Sequence, residues 1–228
     1  GSRTAMSQGS SFKAASDEII RKGLDLAANA LEAPGGDIEF RNGRYIVKGT
    51  DRSVLLTDLV ERHRRPGQPH VLNTIGESGA QRAFPSGAHV CEVEIDPDTG
   101  VVDVVAYTAV DDIGRAINPV MAAGQIHGGV VNSVGHVFGE QIVYDPDSGQ
   151  MLTASFMDYT MPRAGCVGEF KLIDHSVPSP NNALGAKGAG EAGTTGALPT
   201  CMNAVLDALR SAGVKHFDMP ATPARVWE

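Results

Sequence analysis

Gly185-Ala186-Lys187-Gly188-Ala189-Gly190-Glu191-Ala192-Gly193 is the densest glycine run in the chain, and it holds one base and one acid. A backbone this free of side chains can aim its N–H groups at an anion, helped by the dipole of a following helix. A helix does follow: Leu198, Met202, Val205 and Leu209 share one helical face, with Pro199 near its start and Gly213 just beyond its end. Two familiar phosphate loops do not fit. A Walker loop requires Ser or Thr after its Gly-Lys pair, whereas Lys187 is followed by Gly188. A dinucleotide fingerprint follows a strand, whereas Pro178-Ser179-Pro180-Asn181-Asn182 precedes this run. Read alone, the run is either a loop that faces an anion or a glycine-rich turn whose Glu191 faces water.

Upstream, Asn118-Pro119 opens another helix as an N-cap followed by proline at the first helical position. That helix contains Gly128, Gly129 and Gly135, each costing about 1 kcal/mol relative to alanine, so an element or a ligand must approach it closely. His127 and His136 on it read as packing or surface residues. Before it, His89–Ile95 and Val101–Val110 read as β-strands around the turn Asp96-Pro97-Asp98-Thr99-Gly100, and Asp145-Pro146-Asp147-Ser148-Gly149 reads as a second such turn. At the start, apolar residues from Phe12 to Leu31 recur at helical spacing, with Ser10 or Ser11 as the expected cap. Asp37–Phe40 and Tyr45–Lys48 flank Asn42-Gly43 as a tight hairpin, and a short helix is expected near Thr57–Arg64. Helices and strands intersperse without strict βαβ alternation, which predicts an α+β fold.

Composition narrows the function. Nineteen basic against 27 acidic side chains give a net charge of −8, which disfavours nucleic acid as a partner. Cys91, Cys166 and Cys201 are too scattered for a CxxC metal or iron–sulfur site, and no metal ligand is expected in the chain. No apolar run approaches the ~20 residues of a membrane span, so no membrane partner is expected.

Taken with its neighbours, the 185–193 run resembles the catalytic glutamate loop of the molybdenum hydroxylases, the xanthine oxidase, aldehyde oxidase and carbon monoxide dehydrogenase family. Val110-Asp111-Asp112-Ile113-Gly114-Arg115-Ala116-Ile117-Asn118-Pro119 followed by Gly124-Gln125-Ile126-His127-Gly128-Gly129 resembles that family's cofactor-side helix. Phe156-Met157-Asp158-Tyr159-Thr160-Met161-Pro162-Arg163, Asp218-Met219-Pro220-Ala221-Thr222-Pro223 and the opening Gly1-Ser2-Arg3-Thr4 also match, in the same order. The resemblance runs over residues 1–228 and covers the C-terminal portion of the family's molybdopterin-binding large subunit. It implies mixed sheets with packed helices, either one domain or two α+β subdomains with a boundary near 85 or near 115.

The resemblance also implies roles. Glu191 is the expected general base, taking the proton from a molybdenum-bound hydroxyl as it attacks an aldehyde or N-heterocycle carbon with water-derived oxygen. Gln125 is expected to hydrogen-bond the pterin, with Gly128 and Gly129 letting the cofactor or a strand lie against the helix. Ser2, Arg3 and Thr4 are candidates for the nucleotide phosphates, and Lys187, Gly188, Ala189 and Gly190 for other cofactor contacts. The implied cofactor is molybdopterin in its cytosine dinucleotide form, with 2Fe-2S clusters and FAD on partner chains only. Implied partners are the N-terminal part of the molybdenum subunit, an iron–sulfur subunit, a flavin subunit and a small-molecule substrate. The expected location is the cytoplasm, or the periplasm where the parent complex is exported. The competing reading is a non-catalytic scaffold fragment that binds no molybdenum alone.

Overall fold

The computed structural model describes residues 3–79 and 81–228, and these form two compact units, one of Thr4–Gln81 and one of Arg82–Glu228 together with Arg3. The fold is α+β in both. In the first, the 28-residue helix α1 (Thr4–Leu31) lies on a three-stranded antiparallel sheet of β1 (Ile38–Arg41), β2 (Arg44–Val47) and β3 (Ser53–Leu55), followed by α2 (Leu56–Arg62). The helix begins at Thr4, so Ser10 is no cap: it is buried mid-helix, and Ser11 bonds back to the Ser7 carbonyl. Asn42 and Gly43 both adopt positive φ, the turn chemistry expected of that dipeptide. Tyr45 on β2 is fully buried and donates its hydroxyl to the Ile20 carbonyl at 2.9 Å. Gly23 makes this approach feasible, because a Cβ there would lie 2.1 Å from that hydroxyl oxygen.

The second unit carries the glycine-rich loop. Its sheet is ordered β4-β5-β6, with β4 (Ser86–Ile95) antiparallel to β5 (Val102–Asp112) and β6 (Val167–Asp174) parallel to β5. Two helices, α3 (Pro119–Phe138) and α4 (Ala192–Leu209), pack against each other, and α4 also packs on β4. A short α5 (Pro223–Trp227) closes the chain. The core joins Val104, Tyr107 and Ala109 of β5 to Ile126, Val130, Val134 and Val137 of α3 and Ala197, Cys201 and Val205 of α4. Each buried Val or Ile contributes roughly 1.5–3 kcal/mol of transfer free energy, so this apolar junction sets how the two helices sit on the sheet. Among the described residues no helix is long and apolar enough to cross a membrane.

Helix α4 begins at Ala192, so Pro199 lies inside it rather than near its start. β6 carries Cys166's neighbour Val167 onward and had no clear mark in the sequence.

Candidate functional site

The glycine-rich loop is stitched to the end of β5. Ala186 bridges Gly114, the Arg115 N–H donates to the Gly185 carbonyl at 2.8 Å, and the Lys187 N–H donates to the Ile113 carbonyl at 2.9 Å. Both Gly114 and Gly185 have positive φ, and a Cβ on Gly114 would fall 2.4 Å from the Gly185 carbonyl oxygen. Only glycine permits that approach. Asn182 holds the loop from within, accepting from the Leu184 and Ala186 N–H groups and donating to the Ala186 carbonyl at 2.8 Å.

Lys187 does not reach out. Its ammonium bonds the Asp112 carboxylate, which also accepts from the Gly114 and Val177 N–H groups, each at 2.9 Å. Burial pushes the Asp112 carboxyl up, but Lys187 and the two N–H donors outweigh it and hold it at about 2. The lysine thus pins the loop.

Glu191 stands at the head of α4, in the N-cap position, its carbonyl accepting from the Thr195 N–H at 2.9 Å. Its side chain makes no capping hydrogen bond and is exposed. It lines the rim of a cleft of about 460 Å³ formed with Phe84, Gly87, Thr195, Pro199 and Thr200, and floored by His89 and Asp111.

On α3, Asn118 caps the helix by accepting from the Met121 N–H at 3.1 Å. Gln125 is exposed, and Gly124 and Gly128 flank it with open space where a side chain would stand. Gly129 is used differently. It is buried against α4, where a Cβ would meet the Thr194 nitrogen at 2.8 Å and the Gly193 Cα at 3.1 Å. The same junction is tied by Ser133 Oγ donating to the Thr194 carbonyl and Thr194 Oγ1 donating to the Gly129 carbonyl, both at 3.2 Å. A Cβ on Gly193 would fall 2.4 Å from the Ile126 carbonyl oxygen, so the helices touch between Ile126 and Gly193. Gln125 and Glu191 each lie within two residues of that contact.

His127 packs edge-on against Phe170 of β6, ring centroids 4.4 Å apart, and His136 lies 3.6 Å from Glu140. Arg3 is exposed and Thr4 opens α1, while Ser2 lies outside the described residues. Sequence reasoning missed His89 and Asp111. The available signal was period-two alternation: His89 occupies an inward position of a strand whose other inward residues are Cys91, Val93 and Ile95.

Residues 1–167 match the family model described as the molybdopterin cofactor-binding domain. The chain is 35% identical to the carbon monoxide dehydrogenase large chain of Hydrogenophaga pseudoflava and 36% identical to the nicotine 6-hydroxylase large subunit of Paenarthrobacter nicotinovorans. These alignments take in 100% and 99% of the chain, and 29% of each relative. The crystal structure of a Cu,Mo-CO dehydrogenase superposes over 100% of the chain and 29% of its own, with a TM-score of 0.86 and 33% identity. Quinoline 2-oxidoreductase from Pseudomonas putida 86 superposes over 92% of the chain and 28% of its own, with a TM-score of 0.75 and 29% identity. The chain therefore spans less than a third of the length of these relatives.

Proposed function

The chain belongs to the molybdopterin cofactor-binding domain family of the molybdenum hydroxylases, and on that premise we propose that it forms the cofactor-side part of a hydroxylase. The enzyme would oxidise an aldehyde or an N-heterocycle carbon with oxygen drawn from water. Nicotine and quinoline, named for two of the similar proteins, are both N-heterocycles. The observation that carries this reading is Glu191, set at the head of a helix by a loop that is itself bonded down at both Ala186 and Lys187.

The residues suit the implied group. Gly124, Gln125 and Gly128 present a strip of bare helix with an amide that both donates and accepts, a surface on which a flat polar ring can lie. The donors are amide and backbone N–H rather than thiolate or imidazole, which suits a group that brings its own metal ligands. Gln125 and Gly128 would hold the pterin, and the backbone of Gly188, Ala189 and Gly190 would approach it. Lys187 and Gly129 serve it by holding the loop and the helix pair in place. Arg3 and Thr4, with Ser2, would take the phosphates of a cytosine dinucleotide form. Bound molybdopterin supplies the redox metal that accepts electrons from the substrate carbon. Glu191 accepts at its carboxylate the proton released as the water-derived oxygen attacks, an assistance typically worth about 10²–10⁴-fold. The electrons would pass to 2Fe-2S clusters and FAD on partner chains, in a cytoplasmic assembly completed by the N-terminal part of the subunit.

The test is made on the full assembly isolated from its host. Near-stoichiometric molybdenum, with Glu191→Gln keeping the metal but losing at least about 100-fold in turnover, is the expected result. Turnover of the variant near that of the wild type would remove Glu191 from the chemistry.

A further inference from the structure

Beneath Glu191 lies a polar group that the reaction does not consume. His89 on β4 is opposite the small Ala109 of β5, so the two diagonal positions on that face, Tyr107 and Asp111, both reach its ring. Tyr107 Oη is 2.8 Å from His89 Nδ1, and both Asp111 oxygens are 3.3 Å from Nε2. The His89 and Asp111 side chains are only 3% and 7% exposed. Burial pushes the Tyr107 hydroxyl well above its ordinary range, so it stays a donor. The Asp111 carboxylate can only accept, so Nε2 carries the hydrogen that faces it, and Nδ1 meets the Tyr107 hydroxyl. Both ring nitrogens are thereby engaged, and His89 has none left for a substrate.

Two glycines are shaped to this pair. A Cβ on Gly196 of α4 would fall 2.4 Å from His89 Nδ1, and one on Gly87 would fall 2.3 Å from Asp111 Oδ1. The backbone of α4's first turns thus rests directly on the imidazole ring. Glu191 lies five residues before Gly196, and its carbonyl is bonded to the N–H of Thr195, the residue just before that glycine. A buried hydrogen-bonded polar network contributes less to stability than apolar packing of the same volume, so a fully bonded one directly under the helix that bears Glu191 calls for another reason. We propose that His89 and Asp111 are positioning residues: with Tyr107 they form a rigid polar seat that sets the depth of α4's first turn and so the height of Glu191 in the cleft.

The inference rests on Glu191 as the base, and its test separates the two ideas. In the full assembly, His89→Asn and Gly196→Ala are compared with the wild type. The first weakens the seat, and the second keeps the pair but lifts the helix from it. Each variant is expected to lower kcat about 10- to 100-fold with KM within about twofold and molybdenum content unchanged, since small displacements of a reacting group cost that much. Deuterium uptake by the amides of residues 191–197 is expected to rise at least about tenfold in His89→Asn, with β4 and β5 otherwise protected. Wild-type kcat together with wild-type uptake in both variants would overturn the seat. Loss of metal or general loss of protection would also overturn it, by showing a merely structural role. If Glu191→Gln is active while uptake still rises in His89→Asn, the base assignment fails and the seat for α4 stands.

Discussion

Asp112 and Glu191 are carboxylates at opposite ends of one bonded loop region, and their surroundings are opposite. Asp112 accepts from an ammonium and two backbone N–H groups and is held at about 2, whereas Glu191 is exposed with no capping bond. The neighbouring glycines of α3 repeat the contrast: Gly129 is pressed against α4 and Gly128 faces open space. A carboxylate saturated with donors cannot take a proton at working pH, and a glycine filled by a neighbour cannot receive a ligand. The tied member of each pair fixes the frame, and the open member is what remains to act.

The contrast breaks most visibly at Glu191. Glu191→Gln should cost at least about 100-fold in turnover of the assembled enzyme while changing unfolding free energy by less than about 0.5 kcal/mol, as an exposed substitution does. Turnover assays paired with thermal melts check both halves. Asp112→Ala should show the reverse emphasis, a loss of about 2 kcal/mol in stability and a fall of roughly 5 °C in Tm, because Lys187 and two N–H donors lose their acceptor.

Acid sharpens the same comparison. The folded carboxyl of Asp112 is depressed to about 2 from 3.8, so its stabilisation is complete above the unfolded value and disappears as pH falls through about 2. Acid titrations of unfolding free energy should therefore show less loss between pH 4 and 2 in Asp112→Ala than in the wild type. An identical acid profile for the two proteins would contradict the Lys187 pair as the source. The smallest effects fall on the glycines. Gly129→Ala should destabilise by about 1–3 kcal/mol, since its methyl meets α4 backbone. Gly128→Ala should stabilise the free chain by up to about 1 kcal/mol, since it fills open space in a helix interior. If Gly128 lies against cofactor, the same alanine should lower molybdenum content in the assembly.

Much of this was legible in local pattern. The Asn118 cap, the Asn42-Gly43 turn, the 185–193 loop and the α+β mixture depend on residues a few positions apart, where backbone sterics and short hydrogen bonds decide. Helix boundaries were less so: α1 starts at Thr4 and α4 at Ala192, since Ser10 and Pro199 are tolerated inside helices whose faces are packed. β6 was not legible, because its place comes from parallel pairing with β5 across a long connection.

By itself, then, the sequence determined the loop, its glutamate, the capped glycine-bearing helix and the family to which they belong. Tertiary structure alone decided which polar groups are free. Lys187 is spent on Asp112, Gly129 on α4, and His89 on Tyr107 and Asp111, and the last of these follows from a strand register that shifts between Glu92 and Val93. Partners so far apart along the chain carry no mutual signal in its spacing, because only folding brings their atoms within hydrogen-bonding distance.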